Sequence, residues 1–205
     1  MLPPVPASAS VDPAGLCLQA ASDAARATGV PYEVLLAISL VETGRGDRPW
    51  PWTVNAGGDG QWFDTAEAAE AHVAELLDQG KTNIDLGCFQ LNYRWHASAF
   101  GSIAEMLDPA RNAEYAAGFL SEHFGQSGDW ALAAAAYHSA TPEFAETYQA
   151  KFEAAYAGLG AGLEALPETA PERLNRFPLL LAGSAGRNGS LVPVTSAGTR
   201  LIGAP

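Results

Sequence analysis

Long alanine-rich stretches, opened by Asp-Pro, Thr-Pro or similar starts and closed by glycine, constrain this chain more than any other feature. Alanine loses no side-chain freedom in a helix and has the highest helix propensity, so such stretches favour helices over sheet. Asp12-Pro13 reads as an N-cap and first helical residue, opening a helix through about Ala27 that Gly29 ends. Pro31 starts a second helix, in which Val34, Leu35, Ile38 and Val41 recur at helical spacing; Gly44 and Gly46 stop it after Glu42-Thr43. Thr65 caps a helix through about Gln79. Asp108-Pro109 opens one to about Phe124, broken by Gly125 and Gly128; Asp129 caps another to about Ser139; Thr141-Pro142 opens the last, ending near Gly158.

The interruptions predict the rest of the organisation. Residues 47–64 hold two short aromatic runs around Gly57-Gly58-Asp59-Gly60, the pattern of a small hairpin. Gly80 to Asp85 reads as a loop, and Leu86 to Asn92 as a tight turn or short helix. Residues 1–11 are Pro/Ala/Ser-rich and are expected to be loose. From Gly160 onward Gly, Pro and Ser recur without periodicity, and only Leu179–Leu181 is strongly apolar. The expected fold is mainly α, a helical bundle with a small β-hairpin insertion and an irregular C-terminal tail. The expected division is a flexible 1–11, one folded domain over 12–159, and a 160–205 tail that either straps the domain or binds a partner.

Charge and composition exclude several functions. The chain has 205 residues with formal net charge −12, 48% apolar and 17% charged residues, enough for one domain with a real core. No Lys/Arg cluster forms a phosphate-tracking stripe, which argues against nucleic acid and anionic membranes. No apolar run approaches the roughly 20 residues of a membrane helix. Met1 to Pro6 shows no export signal, which fits either a cytoplasmic protein or a mature form with an added start Met. His72, His96, His123 and His138 are scattered without metal-ligand spacing, and no glycine-rich nucleotide fingerprint appears, so no metal or cofactor is expected. Cys17 and Cys88 are either two buried thiols or one disulfide.

Glu42 carries the sharpest chemical reading. By position it is an ordinary helix-end carboxylate, with no help from the helix dipole. An unfavourable carboxylate beside an apolar run is also how a general acid is made, because desolvation raises its pKa toward neutral. Ile38 to Thr43 resembles the Glu-Ser helix of the soluble lytic transglycosylases, lysozyme-like enzymes that cleave peptidoglycan. Gly87-Cys88-Phe89-Gln90 resembles their Gly-Leu-Met-Gln turn, Asp108-Pro109-Ala110-Arg111-Asn112 their Asp-Pro-x-x-Asn helix start, and Ala136-Tyr137-His138 their Ala-Tyr-Asn segment. These motifs stand in the family's order, over residues 31 to about 148. Pro49 to Asn55 and Asn83 to Gly87 resemble the subgroup found with flagellar, secretion and conjugation machinery.

The resemblance implies a lysozyme-like fold, peptidoglycan glycan strands as substrate, and a periplasmic location. It implies flagellar-rod or secretion-system proteins as partners of the tail. Glu42 would protonate the oxygen joining MurNAc to GlcNAc, then take the proton of the MurNAc C6 hydroxyl as a 1,6-anhydro ring closes. Tyr137 would hydrogen-bond Glu42, Gln90 would hold the sugar, and Thr43, the Gly87 backbone and His138 would line or orient the same cleft. Thr43 stands where the family usually has Ser, and His138 where it has Asn. Cys88 replaces an aliphatic residue, which would set it near the active-site wall and make a Cys17–Cys88 staple plausible.

Two alternatives come from other readings. Asp85, Asp59 or Asp64 facing Glu42 would suit a goose-lysozyme-like hydrolase, and an idle Glu42 would leave a glycan-binding scaffold. Tyr137 reads equally as a core aromatic. Trp50, Trp52, Trp62 and Trp95 are expected to pack the hairpin, with one at most in the cleft.

Overall fold

The computed structural model describes residues 12–46 and 48–164; the 1–11 segment and the chain from 165 onward, with Leu179–Leu181, lie outside the described residues. Helix α1, Pro13–Thr28, starts where the Asp12 carboxylate accepts from the Ala14 N–H and ends at Gly29 in the left-handed conformation, φ 80°. Helix α2, Tyr32–Thr43, buries Val34, Leu35, Ala37 and Ile38 and stops at Gly44. Helix α3, Ala66–Asp78, begins with the Thr65 hydroxyl accepting from Ala68 N–H. Two short helices follow, α4 (Tyr93–His96) and α5 (Ile103–Leu107). Helix α6, Pro109–Ser127, is capped by Asp108 and closed by left-handed Gly128. Asp129 caps α7, Trp130–His138, and α8 spans Pro142–Glu164.

Two helix ends differ from expectation. Gly125 lies inside α6, and α8 continues through Gly158 and Gly160 to Glu164. A helical glycine costs about 1 kcal/mol relative to alanine, which packing and good neighbouring helix formers offset.

The core is helical. Helix α1 packs on α6, α6 on α7, α7 on α8, and α2 against both α1 and α8. Leu35, Ile38, Phe89, Met106, Leu107, Leu120 and Phe152 fill the space between them, all at 2% exposure or less. The hairpin exists, as β1 (Thr53–Ala56) and β2 (Asp59–Trp62), but it is half of a larger unit. Strands β3 (Ile84–Leu86) and β4 (Leu91–Asn92) extend it into an antiparallel sheet of order β2-β1-β3-β4. The expected loop over 80–85 and short helix over 86–92 are thus two strands around a turn. They are too short for period-two alternation to show in sequence.

The register sorts this sheet into two faces. Val54, Leu86 and Leu91 are cross-strand neighbours and are buried. The adjacent row, Asn55, Asp85 and Asn92, points the other way and lines a cleft.

Candidate active site

The turn between β3 and β4 is held from five directions. Gly87 has φ 81°, and a Cβ there would lie 2.5 Å from Asn112 Nδ2. Asn112, fully buried in α6, donates to the Leu86 and Met106 carbonyls (3.0 and 2.9 Å) and accepts from the Phe89 N–H (2.9 Å). Ser39 of α2 donates to the Cys88 carbonyl at 2.9 Å, and Tyr137 of α7 donates to the Phe89 carbonyl at 2.7 Å. Cys88 forms a disulfide with Cys17 of α1, with Cα atoms 5.7 Å apart. Gln90 takes φ 46°, a region that costs a non-glycine residue about 1–3 kcal/mol. Its own Nε2 fixes it there by donating to the Thr53 and Gly87 carbonyls at 3.1 and 3.0 Å. That leaves its Oε1 as an acceptor for a ligand.

This turn and the polar row of the sheet form one wall of a cleft of about 560 Å³. The opposite wall carries Glu42, from the last turn of α2, together with Tyr137 and His138 from the end of α7. The Glu42 side chain is only 14% exposed. Burial lifts its pKa to about 7 from the ordinary 4.5; the Asp85 charge adds to this, and the Tyr148 hydroxyl and Lys151 oppose it. Glu42 is therefore about half protonated at neutral pH, the condition a general acid needs.

Asp85 faces the same cleft. It accepts from Asn92 Nδ2 at 2.7 Å and from Asn55 Nδ2 at 3.4 Å. Burial raises its pKa, and the Asn92 hydrogen bond counters that.

The expected site residues divide. Glu42, Gln90, Tyr137 and His138 all line the cleft. Tyr137 does not hydrogen-bond Glu42; its hydroxyl is committed to the Phe89 carbonyl. The phenol beside Glu42 is Tyr148 of α8, buried and without any other partner of good hydrogen-bond geometry. Thr43 is buried away from the cleft wall, with its hydroxyl donating to the Ser39 carbonyl and accepting from Trp50 N–H. Gly87 lies behind the wall against Asn112 and acts by permitting that contact. His138 places Nδ1 3.9 Å from Glu42 Oε1.

Trp50 and Trp62 bind the hairpin to α2 and its own strand, donating to the Phe63 and Thr43 carbonyls. Trp95, 70% exposed, stands at the cleft. Sequence reasoning missed Tyr148, whose place in α8 resembles any core aromatic. It also gave no role to Asn112, although the Asp-Pro-x-x-Asn pattern contained it. Among the described residues no cluster of His, Cys, Asp and Glu is arranged for a metal ion. No helix of the described residues is long and apolar enough to cross a membrane.

A helical domain that sets one nearly buried carboxyl group across a cleft from a small antiparallel sheet belongs to the lysozyme-like class. Residues 65–157 match the family model described as the transglycosylase SLT domain. The matched stretch covers α3 through most of α8, with Asp85, Gln90, Tyr137 and His138; it begins after α2, so the reading of Glu42 stands on its geometry. No curated protein and no solved structure matches the chain.

Proposed function

We propose that this protein is a peptidoglycan lytic transglycosylase that cleaves the MurNAc-β-1,4-GlcNAc bond through Glu42. The single observation that carries the reading is a nearly buried carboxyl group at the cleft with its pKa lifted to about 7. Protonated Glu42 gives its proton to the glycosidic oxygen as the C1–O bond breaks. Positive charge develops on the MurNAc ring. The carboxylate so formed takes the proton of the C6 hydroxyl as O6 bonds to C1. One bond is broken, one is formed, no water is consumed, and Glu42 ends as it began. Gln90 Oε1 and the Asn55 and Asn92 amides supply hydrogen bonds to sugar substituents, and Trp95 supplies an exposed face for stacking.

One observation favours a second reading. Asp85 offers a second carboxylate in the same cleft, held by Asn92 and Asn55, which suits hydrolysis by a water on the opposite sugar face. Product ends separate the two. Digestion of peptidoglycan followed by mass spectrometry is expected to give 1,6-anhydroMurNAc ends; reducing MurNAc ends alone would overturn the transglycosylase reading in favour of hydrolysis.

The setting proposed is the periplasm, where the Cys17–Cys88 disulfide would persist. The proposed task, local opening of the wall for a flagellar, secretion or conjugation machine, is supported by the Pro49 to Asn55 and Asn83 to Gly87 segments.

A further inference from the structure

Three polar side chains converge where α2 meets the cleft: the Glu42 carboxyl, the Tyr148 phenol and the His138 imidazole. The Tyr148 hydroxyl is buried and has no partner of full hydrogen-bond geometry. The His138 ring lies flat on the Tyr148 ring, centroids 4.3 Å apart and planes 8° apart. In that stack its Nδ1 stands 3.9 Å from Glu42 Oε1. A slide of about 1 Å along the stack would bring the two within hydrogen-bond distance. The His138 side chain is 44% exposed against 14% for Glu42, so the imidazole is the more solvent-accessible of the two.

The geometry points to His138 as the proton-sharing partner of Glu42: the two side chains titrate as one pair, and His138 is a positioning residue that keeps a single proton beside the scissile oxygen. This rests on the reading of Glu42 as the acid.

The surroundings set which proton states matter. Glu42 faces the imidazole from α2, Tyr148 and Lys151 from α8, and Asp85 from β3 across the cleft; Tyr137 precedes it on α7. Burial first, and Lys151 second, lower the affinity of His138 for a proton. The resting imidazole is therefore neutral, and its Nδ1 can accept from protonated Glu42. With one proton on the pair, Glu42 can act as acid and the imidazole adds no charge. With two, a cation sits beside the ring that must itself become positive, and Glu42 is a poorer base toward O6. Activity would then fall on the acid side as the pair gains its second proton, and on the alkaline side as it loses its first.

The decisive measurement is the titration of the His138 ring by imidazole NMR on the full chain, in the wild type and in Glu42→Gln, with His138→Asn identifying the signal. A shared proton gives a two-step curve in the wild type and a single step in Glu42→Gln. The same single step in both proteins overturns the proposal. This readout needs no turnover, so it remains decisive if peptidoglycan is not cleaved, the result that would overturn the lytic reading instead. On an active enzyme, His138→Asn should flatten the acid limb of kcat/KM and keep the alkaline limb. A uniform loss at every pH would mark an ordinary packing or substrate contact and would also overturn the pairing.

Discussion

Glu42 occupies a position that disfavours its own charge. It lies in the last turn of α2, where the helix carbonyls present the negative end of the dipole, and burial removes most of its water. The same shift that prepares it as an acid makes it a stability liability. Its folded pKa, about 7, is above the ordinary 4.5, so between those values the folded chain binds more protons than the unfolded one. Stability from this group is then fully present below about 4.5 and is lost as pH rises through about 7. At about 1.36 kcal/mol per pH unit, the loss across that window is about 3 kcal/mol. Glu42→Gln keeps the shape and removes the charge. The expected outcome is no detectable cleavage at any pH, and thermal or denaturant stability equal to wild type near pH 4 but higher by about 3 kcal/mol at pH 8. Retained cleavage would remove Glu42 from its role, and parallel stability curves would show that its carboxyl is better solvated than the cleft geometry implies.

The turn joining β3 and β4 shows how short elements are fixed by distant ones. Asn112 alone satisfies three buried backbone groups, those of Leu86, Phe89 and Met106. A buried backbone group left without a partner costs about 1–3 kcal/mol, so Asn112→Ala should destabilise the fold by about 3 kcal/mol or more, readable as a lowered denaturation midpoint. Gly87→Ala should act through the same contact, since its Cβ would collide with the Asn112 amide at a φ that disfavours any side chain; an unchanged midpoint in both variants would mean the turn is held by other means. The same physics explains what the sequence disclosed. Helices α1, α3, α6 and α7 carry their caps in local residues (Asp12, Gly29, Thr65, Asp108, Gly128, Asp129), and those ends were legible to within a few residues. Strands β3 and β4 owe their existence to pairing and to Asn112, Ser39 and Tyr137, groups 23 to 49 residues away along the chain, so no local pattern announces them. Glu42 and Gln90 were legible because motif and chemistry coincide at those positions. The error over Tyr137 and Tyr148 arose because two aromatics on adjacent helices, α7 and α8, both approach Glu42, and only packing decides which hydroxyl is already spoken for.

At the scale of the whole molecule, the two carboxyl groups of the cleft come from segments that one covalent link encloses. The Cys17–Cys88 bond closes a loop with a sequence separation of 71, which contains α2, the β1–β2 hairpin, α3 and β3, and hence both Glu42 and Asp85. Constraining a loop of this length in the unfolded chain stabilises the fold by about 4 kcal/mol on the chain-entropy account. In a domain of this size that corresponds to a shift in Tm on the order of 10 °C. Replacing both cysteines by alanine, or reducing the protein, should therefore lower Tm by about that amount. The turn itself should survive, because Ser39, Asn112 and Tyr137 still hold it. Cleavage measured well below the new Tm is thus expected to stay within a few-fold of wild type, and thermal inactivation to come much earlier. If Tm does not move, those three side chains already fix the turn and the disulfide adds little. If cleavage collapses while the fold remains intact at low temperature, the covalent link itself positions Gln90 and Asp85, and the stability of this protein and its chemistry would both depend on an oxidising compartment.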